Sequence, residues 1–200
     1  MVNRQKRDKK RDAIILAAHT QFRLFGYRKT SMEDISHELG ISRASLYSYF
    51  KNKDEIFRSV SLWLHERALS NAEECLAGEW SRGNVAAKIE SALLARHLPF
   101  HDEQFQSPYA AELYDEYSRL CGDVVIESNT RFQGLLCAAL VEALDSDLIA
   151  IDSKKLGAQQ VAELLNLGVA GLKRAAPNPG VFEVRVGHFV NIFVSGLAHS

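Results

Sequence analysis

Arg43, Ser45, Tyr47 and Ser48 bring a guanidinium, two aliphatic hydroxyls and a phenol together in the stretch GISRASLYSYF, residues 40–50. None of them has the neighbours a catalyst needs. The sequence has no Gly-rich phosphate loop, no nucleophile elbow and no metal-ligand cluster, and carboxylates such as Asp115 and Glu116 read as a solvated helix face. The chemistry open to these side chains is hydrogen bonding. An arginine can grip guanine O6 and N7 with two bonds, and serine hydroxyls can reach base edges or backbone. A tyrosine hydroxyl can reach a phosphate. The sequence therefore predicts a binding protein rather than an enzyme, with no cofactor and no metal.

Those side chains need an element that presents them. Gly40-Ile41-Ser42 reads as a tight corner: glycine tolerates the left-handed backbone, Ile41 plugs the turn, and Ser42 caps the next helix. That helix, predicted from Arg43 to about Phe50, turns about 100° per residue. Leu46, Tyr49 and Phe50 then share an inner face with Ile35, Leu39 and Ile41, while Ala44, Tyr47 and Ser48 point away and Arg43 and Ser45 flank them. Two short helices around such a corner form a helix-turn-helix, whose second helix can lie in a major groove. The alternative is a purely structural corner with Tyr47 packed on a neighbouring helix.

Charge favours the groove. Residues 1–60 carry 13 Lys/Arg against 7 Asp/Glu, a net of +6, while the remainder carries 11 against 18, a net of −7. A basic module for a polyanion and an acidic module for something else fit this division. Arg4, Lys6, Arg7, Lys9, Lys10 and Arg11 form a basic arm expected to lie along a nucleic-acid backbone or enter a minor groove. The start of the second helix, at Thr30 and Ser31, suits an anion, and Lys53 adds a charge-assisted phosphate contact.

The rest of the chain is predicted to be helical. The four prolines (Pro99, Pro108, Pro177 and Pro179) all come late, and no period-two alternation is sustained. Helices are expected at 10–25, with Ile14, Ile15, Ala18, Phe22 and Phe25 as its apolar stripe, and from Thr30 or Ser31 to Leu39. Thr30 with Glu33 has capping-box spacing, with Ser31 a competing cap. Further helices are expected at 43–50, from 53 through Leu64, and at 84–98, 108–119, 121–144, 153–175 and 180–198. Residues 99–108 read as a loop. Three widely spaced cysteines (Cys75, Cys121 and Cys137) argue for a reducing compartment, and with no signal peptide or spanning segment the expectation is a cytoplasmic protein.

Several stretches together resemble one family. These are Arg11-x-x-Ile14-x-Leu16-Ala17-Ala18, Phe22-x-x-Phe25-Gly26-Tyr27, Thr30-Ser31-Met32-x-Asp34-Ile35, Gly40-Ile41-Ser42 and Leu46-Tyr47-x-Tyr49-Phe50-x-x-Lys53-Asp54-Glu55. From Arg11 to about Val60 the chain is similar to the TetR/AcrR transcriptional regulators, departing at Ser36, where the family usually has alanine. The resemblance implies an all-α homodimer: a helix-turn-helix DNA-binding head at 1–53, and a helical body at 54–200 that binds an effector and dimerises. Most such proteins repress, and effector binding releases the operator. The family's DNA-contacting positions fall on Thr30, Ser31, Arg43, Ala44, Ser45, Tyr47, Ser48, Tyr49 and Lys53.

The likeness fades after about Leu64, and the body is read from its own residues. In 180–198, Phe182, Val186, Phe189, Val190, Phe193 and Leu197 form one stripe, and Val184, Ile192 and Val194 place apolar groups elsewhere. A helix apolar on more than one face needs two neighbours. Helix 153–175 contributes Leu156, Val161, Leu164, Leu165, Leu172 and the small residues Gly168, Ala170 and Gly171, so both helices are expected to meet their copies in a four-helix homodimer interface. His97, Phe100, Phe105, Tyr109, Tyr114, Tyr117, Cys121 and Phe132 are candidate lining for a hydrophobic or amphipathic effector. His97 and His101 have the spacing of a metal pair, but Pro99 is expected to break the helix between them.

Overall fold

A computed structural model describes residues 2–151 and 156–197, without the side chains of 2–4 and 102–106. Expectations for Arg4, for Phe105 and for the start of a helix at 153 therefore lie outside the described residues. Among the described residues the elements are all helices, in the order α1 (Val2–Phe25), α2 (Met32–Glu38), α3 (Arg43–Tyr47), α4 (Lys53–Leu76), α5 (Val85–Gln106), α6 (Ala110–Asp145), α7 (Ala158–Ala175) and α8 (Pro179–Ser195). No described helix is long and apolar enough to cross a membrane. The contacts group the chain into two compact units: Met1–His65 with Glu103–Val125, and Glu66–Asp102 with Ile126–Ser200.

The first unit closes over Ile14, Ile15, Ala18 and Phe22 of α1, Met32 and Ile35 of α2, Leu46 of α3, Phe50, and Ile56, Phe57 and Val60 of α4, all buried. Phe57 is the hub, its ring centroid 5.2 Å from Phe22, 5.0 Å from Tyr27 and 4.6 Å from Tyr117. Phe25, expected in the α1 stripe, is instead exposed. Gly26 ends α1 at φ 82° and Gly40 turns the corner at φ 61°, both in the left-handed region where a side chain is strained. Ser36 is buried and donates its hydroxyl to the Glu33 carbonyl at 2.9 Å, so the departure from the family's alanine is absorbed within α2.

Several boundaries differ from expectation, and the α2 cap, left open between Thr30 and Ser31, is settled. The basic segment before residue 10 is not an extended arm but the opening turns of α1. Ser31, not Thr30, caps α2, and its box partner is Asp34 rather than Glu33. Residues 99–106 are not a loop: α5 runs through Pro99. Proline removes one backbone bond, but Pro99 faces solvent while Ala92, Leu93, Arg96, His97 and His101 are buried and hold the helix on both sides of it. The expected break near residue 120 is also missing, and α6 continues because buried side chains recur along it, from Leu113 and Cys121 to Phe132, Leu136 and Leu140.

The second unit is built on Leu69, Ile89, Leu93, Phe132, Leu136, Leu140, Val161, Leu165, Phe182, Val186 and Val190. Asn178 caps α8 by accepting from the Val181 N–H at 2.9 Å, with Pro179 opening the helix. α7 and α8 pack closely at Gly168, where an added Cβ would stand 2.4 Å from Phe189 Cζ. Gly168→Ala is therefore expected to push the Phe189 ring out of place and cost about 1–3 kcal/mol, more than the helix-propensity gain of about 1 kcal/mol. A lower melting temperature by calorimetry is the expected result.

Candidate nucleic-acid interface

The outward face of α3 is set by its corner. Ile41 N–H donates to the Ser36 carbonyl at 3.0 Å, and Ser42 caps α3 by accepting from the Ser45 N–H at 3.1 Å. Leu46 and Phe50 go into the core, and Tyr49 is half-buried between core and surface. Ala44 and Ser48 are exposed, Tyr47 is 46% exposed, and neither Ala44 nor Tyr47 is covered by the chain's own helices. The division of aromatics read from the helical angle is the one found. α3 is shorter than expected, ending at Tyr47, with Ser48 as its C-cap.

Arg43 stands at the amino end of that face. Its guanidinium lies 3.5 Å from the Glu33 carboxylate, and both side chains are largely exposed. An exposed pair of this kind holds only weakly and leaves the guanidinium available. Ser48 donates to the Ser45 carbonyl at 2.6 Å, which fixes its rotamer, while Ser45 Oγ accepts from Lys10 Nζ at 3.3 Å.

That last contact joins the face to the basic end of α1. Lys10 Nζ and the Arg7 guanidinium each sit 5.9 Å from the centre of the Tyr49 ring. Arg11 lies 4.9 Å over Phe50 and donates to Ser59 Oγ at 3.0 Å. The sequence pattern suggested a loose tail for these cations. The structure fixes them by a helix alongside the outward residues of α3.

The other expected contacts are more constrained. Thr30 is buried and donates its hydroxyl to the Gly26 carbonyl at 2.7 Å. The amino end of α2 is closed by its own carboxylate: Asp34 accepts from Ser31 N at 2.8 Å and from Ser31 Oγ at 2.7 Å, and these bonds hold its pKa below the usual carboxylate value. An external anion meets that carboxylate first. Lys53 donates to the carbonyls of Tyr27 (2.7 Å) and Thr30 (2.8 Å) and sits 4.2 Å from the Tyr27 ring centre. Burial lowers its pKa, and Asp54 beside it works in the opposite direction. Asp54 also accepts from the Tyr27 hydroxyl, and burial followed by that bond raises the phenol's pKa.

Two of the three Lys53 donors thus tie down the 26–31 loop, leaving one for a phosphate. Lys53→Met is expected to destabilise the first unit by about 1.5–3 kcal/mol, the range for hydrogen bonds made by charged groups, read as a drop in melting temperature. Binding to every DNA sequence should also weaken alike, with the log–log salt slope shallower by about one.

The candidate effector residues do not form one set. Tyr109, Tyr117 and Cys121 belong to the first unit, where Tyr117 packs at a tilt against Phe57, Cys121 is buried in the core, and the Tyr109 ring edge lies close to Gly26. Tyr114 is 71% exposed. His97, Phe100 and Phe132 belong to the second unit. His97 and His101 lie on one unbroken helix, contrary to the expected break, but their rings part: His97 Nε2 meets Asn166 Oδ1 at 2.9 Å and His101 stacks on Phe182 at 4.9 Å. Sequence reading missed Arg96 and Lys173, which sit with Phe100. Only their positions on the inner faces of amphipathic helices signalled them.

The sequence profile described as "Bacterial regulatory proteins, tetR family" matches residues 14–60, the segment that carries the corner, the outward face of α3 and Lys53. Over these residues the chain is similar to the TetR family. Its head is 37% identical over 59 residues to the HTH-type transcriptional regulator YfiR of Bacillus subtilis, a match that covers 30% of this chain and 29% of YfiR. The HTH-type transcriptional activator FasR of Mycolicibacterium smegmatis is 25% identical over 162 residues, 76% of this chain and 74% of FasR. A TetR-family transcriptional regulator from Mesorhizobium loti has the same fold at TM-score 0.72 and 19% identity, with 96% of this chain and 98% of that one covered.

Proposed function

We propose that this chain is a dimeric, sequence-specific DNA-binding regulator of transcription of the TetR family, a repressor that leaves its operator when the body binds a small molecule. In this reading residues 1–53 bind DNA and 54–200 bind the effector and dimerise, in the cytoplasm. One observation carries it: the outward face of α3, with Arg43, Ala44 and Tyr47 uncovered, lies beside the basic turns of α1. A purely structural corner has no use for that juxtaposition. α3 would enter a major groove, Arg43 and Ala44 would read base edges, and Tyr47, Lys53 and the cations of α1 would hold phosphates, with Ser48 joining them by turning its hydroxyl away from the Ser45 carbonyl. The family's contact set also includes Thr30 and Ser31. Through its backbone the buried Thr30 shapes the loop that Lys53 anchors, and Ser31 would reach DNA by turning its hydroxyl away from the Asp34 carboxylate.

A mobility shift with DNA from upstream of the protein's own gene, at two salt concentrations, tests this. A shifted band that weakens steeply with salt and survives excess unrelated DNA is the expected result. Salt-insensitive binding, or none, would count against it. The sign of regulation has a second reading, because FasR, a relative that matches over most of this chain, is an activator. Transcript levels from the bound promoter in a deletion strain separate the two: they rise for a repressor and fall for an activator.

A further inference from the structure

Arg96 is 3% exposed, in the middle of α5. Its Nη2 donates to Asn129 Oδ1 at 2.8 Å, while its buried Nε has no hydrogen-bond partner. Its guanidinium lies 5.3 Å from the centre of the Phe100 ring and 5.9 Å from that of Phe132. From α7, Lys173 places its ammonium 5.9 Å from the same Phe100 ring. A buried guanidinium and a half-buried ammonium thus share one aromatic ring in the second unit. Among the described residues, no ion pair joins a carboxylate to either.

A buried cation with no counter-charge is expensive, and two together repel as well. The titration of both groups reflects that cost. Burial pushes Arg96 down to about 10, and burial together with Arg96 pushes Lys173 down to about 8. His97, its ring centroid 6.0 Å from that of Phe132, is held down to about 3 by burial and by both cations, so it is neutral at ordinary pH and adds a polar edge without charge. A fold selected only for stability would put apolar side chains of similar volume here.

We infer that the body of this protein takes an amphipathic ligand with a single carboxylate, its anionic end received by Arg96 and Lys173 and its apolar part lying against Phe100 and Phe132. The planar guanidinium fork suits a carboxylate, and Nε is the donor left open for it. The aromatic surroundings favour an apolar remainder over a sugar or a nucleotide. This inference rests on the reading of the body as the effector-binding part.

The test uses the full-length protein, wild type and the Arg96→Met and Lys173→Met variants, with octanoate, dodecanoate and 4-phenylbutyrate below micellar concentrations and dodecanol as the uncharged control. Melting temperature is followed with and without each compound, and affinity is measured by calorimetry. At least one carboxylate should bind wild type, and dodecanol should bind markedly more weakly than dodecanoate. Arg96→Met should weaken carboxylate binding by about 10- to 100-fold, as loss of a charge-assisted bond implies. Lys173→Met should weaken it less. The second readout needs no ligand: with the unpaired charge removed, ligand-free Arg96→Met should melt at or above the wild-type temperature.

Failure of all three carboxylates to bind wild type, equal binding of dodecanol and dodecanoate, or unchanged carboxylate affinity in Arg96→Met would each overturn the inference. So would a ligand-free Arg96→Met protein that melts well below wild type, since that marks Arg96 as a structural cation. Loss of the wild-type mobility shift on upstream DNA would instead remove the regulator reading and leave these binding results standing.

Discussion

The Leu167→Glu, Ile192→Glu double variant is expected to run as a monomer by light scattering where the wild type runs as a dimer, and to bind upstream DNA at least about 100-fold more weakly. Leu164 and Leu167 on α7 and Val184 and Ile192 on α8 are exposed, Ile192 at 76%, on the two helices that pack together at Gly168. Isolated exposed leucines are ordinary, but four large apolar groups on one helix pair are the pattern of a face awaiting a partner. A two-fold axis would lay this pair against its copy and form a four-helix interface. Each glutamate would place a carboxylate in that interface, and symmetry would supply it twice. The predicted loss in DNA affinity follows from tethering: a dimer grips two half-sites at once, and untying them forfeits the effective-concentration gain of about 10²–10⁴. The Gly168→Ala variant is the control, because it disturbs the α7–α8 contact without placing charge on the exposed face. A double variant that remains dimeric would move the interface elsewhere.

The legible parts of the sequence were those with short-range causes. Gly26 and Gly40 were read as stop and corner, and both have positive φ. Helical angle alone sorted Leu46 and Phe50 from Ala44 and Tyr47, because a single short helix leaves little room for tertiary packing to change their facing. Where two local signals competed, the sequence did not decide between them. Thr30 and Ser31 could both cap α2; Ser31 won because Thr30 is buried and gives its hydroxyl to Gly26.

The misread parts depended on distant residues. Pro99 is a local stop signal, overridden by the buried side chains on either side of it along α5. The start of α1 looked like a polyelectrolyte arm because nothing local makes it apolar; in the structure Arg7 and Lys10 meet Tyr49, far along the chain. The suggested lining residues were picked for chemical type, and type carries no information about which helix face meets which. Tyr117 went to the Phe57 cluster and Tyr114 to solvent. Arg96 and Lys173 escaped notice for the opposite reason: Lys and Arg on long helices are usually solvated, and only tertiary packing reveals one that is buried and one that is half-buried.

Arg43→Ala is expected to cost about 1–3 kcal/mol at one or two base pairs of the operator, roughly 5- to 150-fold, while leaving binding to unrelated DNA almost unchanged. In free protein the guanidinium is engaged by an exposed Glu33 at 3.5 Å, so its removal should not unfold the head. Glu33→Gln makes the converse test: freeing Arg43 from this acidic neighbour and removing a negative charge from the DNA-facing side should strengthen binding modestly. Lys10→Ala supplies the contrast. Lys10 touches Ser45 and the Tyr49 ring but has no base within its expected reach, so its loss should weaken all sequences alike and make the salt slope shallower by about one. The three variants thus separate reading from holding. A binding-site selection in which Arg43→Ala and Lys10→Ala lose the same fraction of affinity on every sequence would show that α3 holds the duplex without reading it, and recognition would then have to come from the shape of the DNA.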